Sequence, residues 1–337
     1  MVISPRVLGN RRVCPIGLGC MSLSQAYSPA PSDEQGTALL HRALDLGYDH
    51  LDTARIYGIG HNEALLGSAL KGLRDRFFLA SKTGIFADGN RRRIDCRPAT
   101  IRKACEESLK SLQTDHIDLY YLHRHDYDTP IEESVGTLGD LIREGKIGGV
   151  GLSEVSAATL RRAHAEHPVM AVQTEYSLWT RNPELGVLDA CKELGTTFVA
   201  FSPLGRGVFS NSMRDPSTLA PHDFRAGIPR FAAEHWPTNL DLIDQFNAIA
   251  KQQDVTPAQL ALAWVLSRGE HIVTIPGTSR MDHMEENIAR WDWQPTAAVL
   301  AQLDQLINQQ TVSGHRYGDA MRTNIDTEEY SDAESAE

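Results

Sequence analysis

The chain has 337 residues, 41% of them hydrophobic, enough for one large α/β barrel or two ordinary domains. Its formal net charge is −11, and no basic block exceeds the trio Arg91, Arg92 and Arg93, so a nucleic-acid surface is excluded and an anionic ligand would need locally placed cations. Five scattered cysteines without a C-x-x-C pair read as free thiols in a reducing compartment, not as a zinc or redox site.

The N-terminal stretch MVISPRVLGNRR lacks the basic start and apolar core of a signal peptide. No apolar run approaches the ~18 residues of a membrane span, so a soluble cytoplasmic protein without a membrane partner is expected. RVLGNRRVC predicts two short strands around Gly9-Asn10, a hairpin that plugs the bottom of a barrel. Candidate strands then follow at PIGLGC (15–20), YDHLDT (48–53), FFLASK (77–82), IDLYYLH (117–123), GGVGLS (148–153), VMAVQT (169–174), TFVAFS (197–202) and HIVTIP (271–276). Between them lie amphipathic stretches such as SDEQGTALLHRALDLG, where Ser32 or Asp33 can cap and Leu39, Leu40, Ala43 and Leu44 form a helical stripe. Others are TIRKACEESLKSL, IEESVGTLGDLIREG, AATLRRAHAEH, ELGVLDACKELG and MDHMEENIA.

Short apolar runs alternating with amphipathic helices are the rhythm of βαβ units, and eight of them predict a (β/α)8 TIM barrel with an N-terminal hairpin. The arginine trio at 91–93 reads as a solvated loop. Residues 203–238 carry eight prolines and glycines and predict a long, irregular loop after the seventh strand. No linker divides the chain, so residues 1–325 read as one domain. The acidic tail 326–337 reads as disordered.

In such a barrel the chemistry sits at the carboxyl ends of the strands. The second strand ends at Asp52, the third at Lys82, the fourth at His123, the fifth at Ser153, the sixth at Gln173 and the seventh at Phe201-Ser202. Singly, each has an ordinary structural explanation: a satisfied core histidine, a snorkelling lysine, an aspartate that caps a helix. Converging on one rim, they read as a site. In LDTARIYG (51–58), Tyr57 lies five residues beyond Asp52, a spacing that shares no helical face and requires a strand end and its loop.

A phenol, with a reference pKa of about 10, donates a proton at neutral pH only when a nearby cation stabilises its phenolate. Lys82 could be that cation, Asp52 its counter-charge, and a neutral His123 could orient a substrate oxygen. The group offers no nucleophile and no metal cage, so proton donation to a carbonyl would need a hydride from a nicotinamide cofactor. Ser153 and Gln173 could hold its carboxamide, and Phe201 could face its ring. The dinucleotide fingerprint is broken: GLGCMS (17–22) lacks the third glycine.

From GLGCM to about Arg322 the chain resembles the aldo-keto reductase superfamily. LDTARIYG with NEALLG (62–67) is similar to its Asp and Tyr segment, LASKTG to its Lys segment and IDLYYLHR to its His segment. GLSEVS (151–156), VQTEYSLW (172–179), AFSPLGRG (200–207) and IPGTSRMDHMEENI (275–288) are similar to its cofactor signatures, and GHRY (314–317) to the C-terminal GxRY of a monomer-like bacterial, fungal and plant branch. The resemblance implies an NADPH-dependent reductase of small-molecule aldehydes or ketones, with Asp52, Tyr57, Lys82 and His123 as the catalytic tetrad and Tyr57 as general acid. It implies that Ser153 and Gln173 bind the carboxamide and that Phe201 stacks on the nicotinamide. Ser202, Leu204, Gly205 and Arg206 would line the pyrophosphate; Gly277, Thr278, Ser279, Arg280, Glu286 and Asn287 would surround the adenosine end, with Arg280 on the 2′-phosphate.

Three positions depart from the pattern. Arg55 stands between Asp52 and Tyr57 and is free to reach an acidic neighbour; Glu154 follows Ser153 where some branches carry Asn. Ser279 replaces a second cation, which leaves NADH as a lesser possibility. A regulatory, redox-sensing subunit that binds NADPH and turns over slowly is the alternative. A metal-dependent barrel lyase would need several acids or histidines on the rim, where the sequence places one of each. Residues 21–28, His125, Asp126, Trp179 and 203–238 are candidates to shape the substrate pocket. The sequence leaves monomer and homo-oligomer equally open.

Overall fold

The computed structural model of the chain describes residues 4–330 apart from 25, 26, 28, 90, 221 and 222. At the N-terminus β1 (Arg6–Leu8) pairs antiparallel with β2 (Arg11–Val13), and Gly9 turns between them at φ 61°. The barrel strands are β3 (Leu18–Gly19), β4 (His50–Asp52), β5 (Phe78–Thr83), β8 (Leu119–Leu122), β9 (Val150–Ser153), β10 (Val169–Glu175), β11 (Thr197–Phe201) and β12 (Ile272–Thr274), each parallel to its neighbour. All eight fall inside the predicted runs or extend them by a residue. Between β5 and β8 a second antiparallel hairpin intervenes, β6 (Ile85–Asp88) with β7 (Arg91–Ile94).

The sheet curls until its outer strands meet. The Gly17 N–H donates to Thr274 O at 2.8 Å, the Thr274 N–H to Pro15 O at 2.8 Å, and Gly19 bridges Gly277 beyond the end of β12. Gly19 has to be glycine for this closure, because a Cβ there would stand 2.7 Å from Ile275 O.

Two apolar cores follow. Inside the barrel, Phe78, Ala80, Leu119, Tyr121, Ala171, Val199, Val273 and Ile275 pack with Leu8 and Val13 of the hairpin, which therefore plugs the barrel as expected. Arg6 fixes the plug by donating to the carbonyls of Leu266, Gly269 and Ile272. Outside, the strands' other faces pack against α1 (Asp33–Asp45), α2 (His61–Ala69), α3 (Pro98–Ser111), α4 (Ile131–Arg143), α5 (Ala157–Glu166) and α6 (Val187–Leu194), continued by α7 (Trp236–Gln252), α8 (Pro257–Leu266), α9 (Met281–Ile288) and α10 (Ala297–Leu306). Because both faces of each strand are covered, the strands read as continuous apolar runs. Ser32 caps α1 in a capping box with Gln35, and Leu39, Leu40, Ala43 and Leu44 are buried as the stripe predicts. Helix α8, apolar on every face and capped by Thr256, is buried from Leu260 to Leu266; truncating Leu262 to Ala there would cost about 2–5 kcal/mol. Among the described residues no helix is long and apolar enough to cross a membrane.

Three sequence expectations change. Arg91–Arg93 lie on β7 and not in a solvated loop, with the Arg93 guanidinium 5.5 Å above the Phe86 ring and ion-paired to Asp95. The irregular segment after β11 is built of short 3-10 turns and ends sooner than expected, since α7 starts at Trp236 with Pro237 in its first turn, where the missing N–H costs nothing. Residues 326–330, expected to be disordered, are docked on the barrel. Asp326 accepts from the Ser156 N–H at 2.8 Å and Glu328 from the Ala157 N–H at 2.7 Å, so the acidic composition caps the start of α5. Residues 331–337 lie outside the described ones.

Candidate active site

Asp52 is the last residue of β4, Ser153 the last of β9 and Phe201 the last of β11; Lys82 and Gln173 lie near the ends of β5 and β10, and His123 follows β8. One rim therefore gathers the whole expected set. The Arg55 N–H donates to Lys82 O at 3.0 Å, extending the pairing of β4 with β5 beyond the strand and fixing the path of the loop to Tyr57. After Tyr57 the chain reverses through Gly58, Ile59 and Gly60, all at positive φ, into α2. At Gly60 (φ 91°) a Cβ would fall 2.2 Å from the Arg55 guanidinium, so the turn needs glycine for both its angle and its space.

A residue that the sequence reading passed over holds this loop. Asn62, buried in the first turn of α2, accepts from Thr53 Oγ1 at 2.6 Å and donates to Cys20 O at 2.9 Å and Ser24 Oγ at 2.8 Å. It ties the loop after β4 to the loop after β3. In NEALLG, beside the charged Glu63, nothing in the sequence set it apart.

At the centre, the Lys82 ammonium is 0% exposed, pairs with Asp52 Oδ1 and donates to Thr53 O at 2.8 Å. Gln173 Nε2 donates to Asp52 Oδ2 at 2.8 Å, so both carboxylate oxygens are occupied. The ammonium lies 5.2 Å from the Tyr57 ring centroid and 5.7 Å from that of Tyr121, while the Tyr57 and His123 rings meet edge to face at 5.8 Å. Gly151, beside Tyr121 in the barrel, leaves room for that ring: a Cβ would be 2.3 Å from it.

These contacts set the proton inventory. Burial pushes the Tyr57 phenol above its ordinary value, and the Lys82 charge and hydrogen bond pull it back part of the way. Burial alone would lower Lys82, but Asp52 and Tyr57 outweigh it and hold the ammonium charged. Burial, then the charges of Lys82, Arg124 and Arg92, hold His123 well below its usual range, so the imidazole is neutral.

The residues expected to hold a nicotinamide cofactor form two groups. Ser153 and Gln173 are register partners on β9 and β10, side by side as two hydrogen-bonding groups for one carboxamide must be. Phe201 is partly exposed at the end of β11, and Ser202 (φ 49°), Gly205 (φ 55°), Arg206 (φ 60°) and Gly207 (φ 100°) coil the following loop tightly, with Leu204 partly exposed between them. The Arg206 side chain turns inward to pair with Glu175 and stacks between Phe224 and Tyr317, and its carbonyl accepts from Arg225 Nη1 at 3.2 Å. Across the closure, Gly277, Thr278, Ser279 and Arg280 form the turn into α9, which carries Glu286 and buried Asn287. The Arg280 N–H donates to Thr278 Oγ1 at 3.0 Å, and its exposed guanidinium pairs with Asp282. A carboxamide pair, an aromatic face, a glycine-coiled loop and a surface guanidinium fit an extended dinucleotide.

Two of the three departures are accounted for. Arg55 spans Glu107 on α3 at 3.0 Å and buried Glu63 on α2 at 3.8 Å, so it braces the helices behind the tyrosine loop. Glu154, at φ 55° and fully buried, turns away from the rim to pair with Arg316 at 3.2 Å and accept from the Glu175 N–H at 2.9 Å. GHRY thus supplies the countercharge for Glu154. Among the pocket candidates, Asp126 is a turn residue, accepting from the Cys96 N–H at 2.8 Å and Thr129 Oγ1 at 2.9 Å; Trp179 is core, with Arg230 over its ring at 5.4 Å. His125 packs on Tyr127 at 4.6 Å. Met21–Leu23 form a 3-10 turn on the rim, and residues 25, 26 and 28 lie outside the described ones.

Residues 15–308 match the model of the Aldo/keto reductase family. The chain is 41% identical over 324 residues to the probable aldo-keto reductase 1 of Glycine max, covering 94% of this chain and 92% of that one. It is 40% identical to the NADP(+) aldo-keto reductase yakc of Schizosaccharomyces pombe, covering 94% and 95%. Among solved structures it is similar to the glycerol dehydrogenase of Gluconobacter oxydans, with TM-score 0.83, 27% identity and coverage of 90% and 94%. It is also similar to an aldo-keto reductase from Klebsiella pneumoniae in complex with NADPH, with TM-score 0.73, 29% identity and coverage of 94% and 99%.

Proposed function

Given that the chain belongs to the aldo/keto reductase family, and so is an oxidoreductase, we propose that it reduces aldehydes or ketones to alcohols with NADPH, using Tyr57 as the general acid. The observation that carries this reading is the convergence of the Tyr57 phenol, the buried Lys82–Asp52 pair and a neutral His123 on one rim. A bound NADPH supplies the hydride that reaches the carbonyl carbon. Everything else is done by the protein. Tyr57 passes its proton to the carbonyl oxygen as negative charge develops there, and the Lys82 ammonium stabilises the phenolate that remains. Asp52 keeps that ammonium charged and aimed; His123, with no charge to repel, donates a hydrogen bond that orients the carbonyl.

Ser153 and Gln173 would bind the carboxamide and Phe201 would pack on the nicotinamide. The main chain of 202–206 would take the pyrophosphate, and Gly277–Arg280 with Glu286 and Asn287 the adenosine end. NADPH is favoured over NADH by Arg280, exposed where a 2′-phosphate could displace Asp282, and by the NADP(+) and NADPH in the names of the yeast and Klebsiella proteins. Cofactor oxidation by a panel of neutral aldehydes and ketones tests the reading. Turnover with NADPH is expected, whereas cofactor release slower than any turnover would favour a regulatory NADPH-binding protein instead.

A further inference from the structure

Most arginines of this acidic chain are neutralised: Arg55, Arg74, Arg93, Arg97, Arg102 and Arg206, for example, all meet carboxylates. Arg124, immediately after His123, is different. It is partly buried on the rim, and its hydrogen bonds to the protein all leave from one nitrogen: Nη1 donates to His123 O at 2.7 Å and to Ser153 Oγ at 3.4 Å. Among the described residues the Nε and Nη2 donors meet no acceptor and the guanidinium meets no carboxylate. The adjacent acid Asp126 is already committed to the Cys96 N–H and Thr129 Oγ1, and Asp95 to Arg93 and Arg97. A guanidinium pinned through Nη1 offers its Nε–Nη2 edge as a fixed fork, the geometry that binds a carboxylate or phosphate through two parallel hydrogen bonds.

We propose that Arg124 is an anion clasp beside the reacting centre, and that the preferred substrates are carbonyl compounds bearing a carboxylate or a phosphate. This rests on the carbonyl-reductase reading and deepens it by naming the substrate class. On a protein with net charge −11, the clasp is the local cation that an anionic substrate requires.

The test compares 4-nitrobenzaldehyde, 4-carboxybenzaldehyde and 4-formylphenyl phosphate on wild type, Arg124→Gln and Arg124→Lys. It is paired with calorimetric binding of 4-methylbenzoate, phenyl phosphate and 4-methylbenzamide to the NADP+-loaded protein. Wild type should favour an anionic aldehyde over the neutral one. Arg124→Gln should lose about 10- to 100-fold in kcat/KM for anionic aldehydes, mostly through KM, the range of a lost charge-assisted pair. Its turnover of the neutral aldehyde and its affinity for NADPH should fall far less, by no more than the lost Nη1 contacts to His123 O and Ser153 Oγ account for, and the retained NADPH binding also reports correct folding. Arg124→Lys should retain part of the preference, and added salt should raise KM for the anionic aldehydes alone. Carboxylate and phosphate arms that differ identify which anion the fork is cut for.

Equal loss for neutral and anionic aldehydes, or a matching loss of NADPH affinity in Arg124→Gln, would overturn the clasp. Should wild type reduce none of the aldehydes, the reductase reading fails. The binding arm still decides the clasp: preference for benzoate or phenyl phosphate over the amide, lost in Arg124→Gln, upholds it, and equal binding ends it.

Discussion

Gln173 donates from Nε2 to Asp52 Oδ2 at 2.8 Å, so a residue expected to serve the cofactor also completes the hydrogen bonding of the carboxylate that pairs with Lys82. Asp52 is 2% exposed, and with Lys82 on its other oxygen it meets no need for water. The proposed carboxamide-binding wall and the proposed proton-donating group are therefore joined through one side chain.

That linkage predicts an asymmetry between two substitutions. Gln173→Leu leaves Asp52 Oδ2 without a partner and should cost about 1.5–3 kcal/mol, divided between weaker NADPH binding and lower kcat. Gln173→Glu should be worse on kcat, because a second carboxylate at 2.8 Å from the first forces one of them to hold a proton and competes for Lys82. Steady-state kinetics with NADPH titrations of both variants check this. Equal, small effects on kcat would separate Gln173 from the tetrad.

The pH dependence of reduction follows from Tyr57. Burial raises its pKa, so the phenol keeps its proton through the neutral range, and the rate should hold there and fall in alkali as the proton donor is lost. Lys82 acts in the opposite direction and lowers that pKa. Lys82→Met should therefore reduce activity about 100-fold or more and move the alkaline limb upward. A limb that stays in place would assign the titration to another group.

Much of this site was legible because barrel strands buried on both faces are apolar runs, which makes a polar residue at the end of each run conspicuous. Asp52, Lys82, His123, Ser153 and Gln173 were found that way. The hairpin β6–β7 was not, since its packing rests on the Arg93 guanidinium over Phe86, and charged residues in sequence read as solvated. Helix α8 has no periodicity to detect, being apolar all round. Asn62 carries no pattern at all: its role exists only when β3, β4 and α2 are brought together.

Composition misled most clearly at the C-terminus. Asp326 accepts from both the N–H and the Oγ of Ser156. Asp326→Ala should lower stability by about 0.5–2 kcal/mol, as loss of a helix cap does, with turnover of neutral aldehydes little changed. Thermal unfolding measures it. An unchanged Tm would mean that the docked tail adds nothing to the fold.

His50 should set part of the acid sensitivity. The ring is fully buried in the barrel beneath the site, edge to face with Phe78, and burial holds its pKa down to about 4. The unfolded chain binds a proton near pH 6.5 that the folded chain refuses. Stability from this group is thus complete above about 6.5 and lost as pH falls toward 4, roughly 3 kcal/mol in all. His50→Gln should flatten the dependence of Tm on pH across that window. The same slope in wild type and variant would contradict it.

The account turns on the phenol. Tyr57→Phe keeps the ring that packs against His123 and removes only the proton donor. Measured together, NADPH oxidation with a neutral aldehyde should fall at least about 100-fold and NADPH affinity should stay within about threefold of wild type. Turnover near that of wild type, with the cofactor still bound, would remove Tyr57 from the acid role and the proposed mechanism with it.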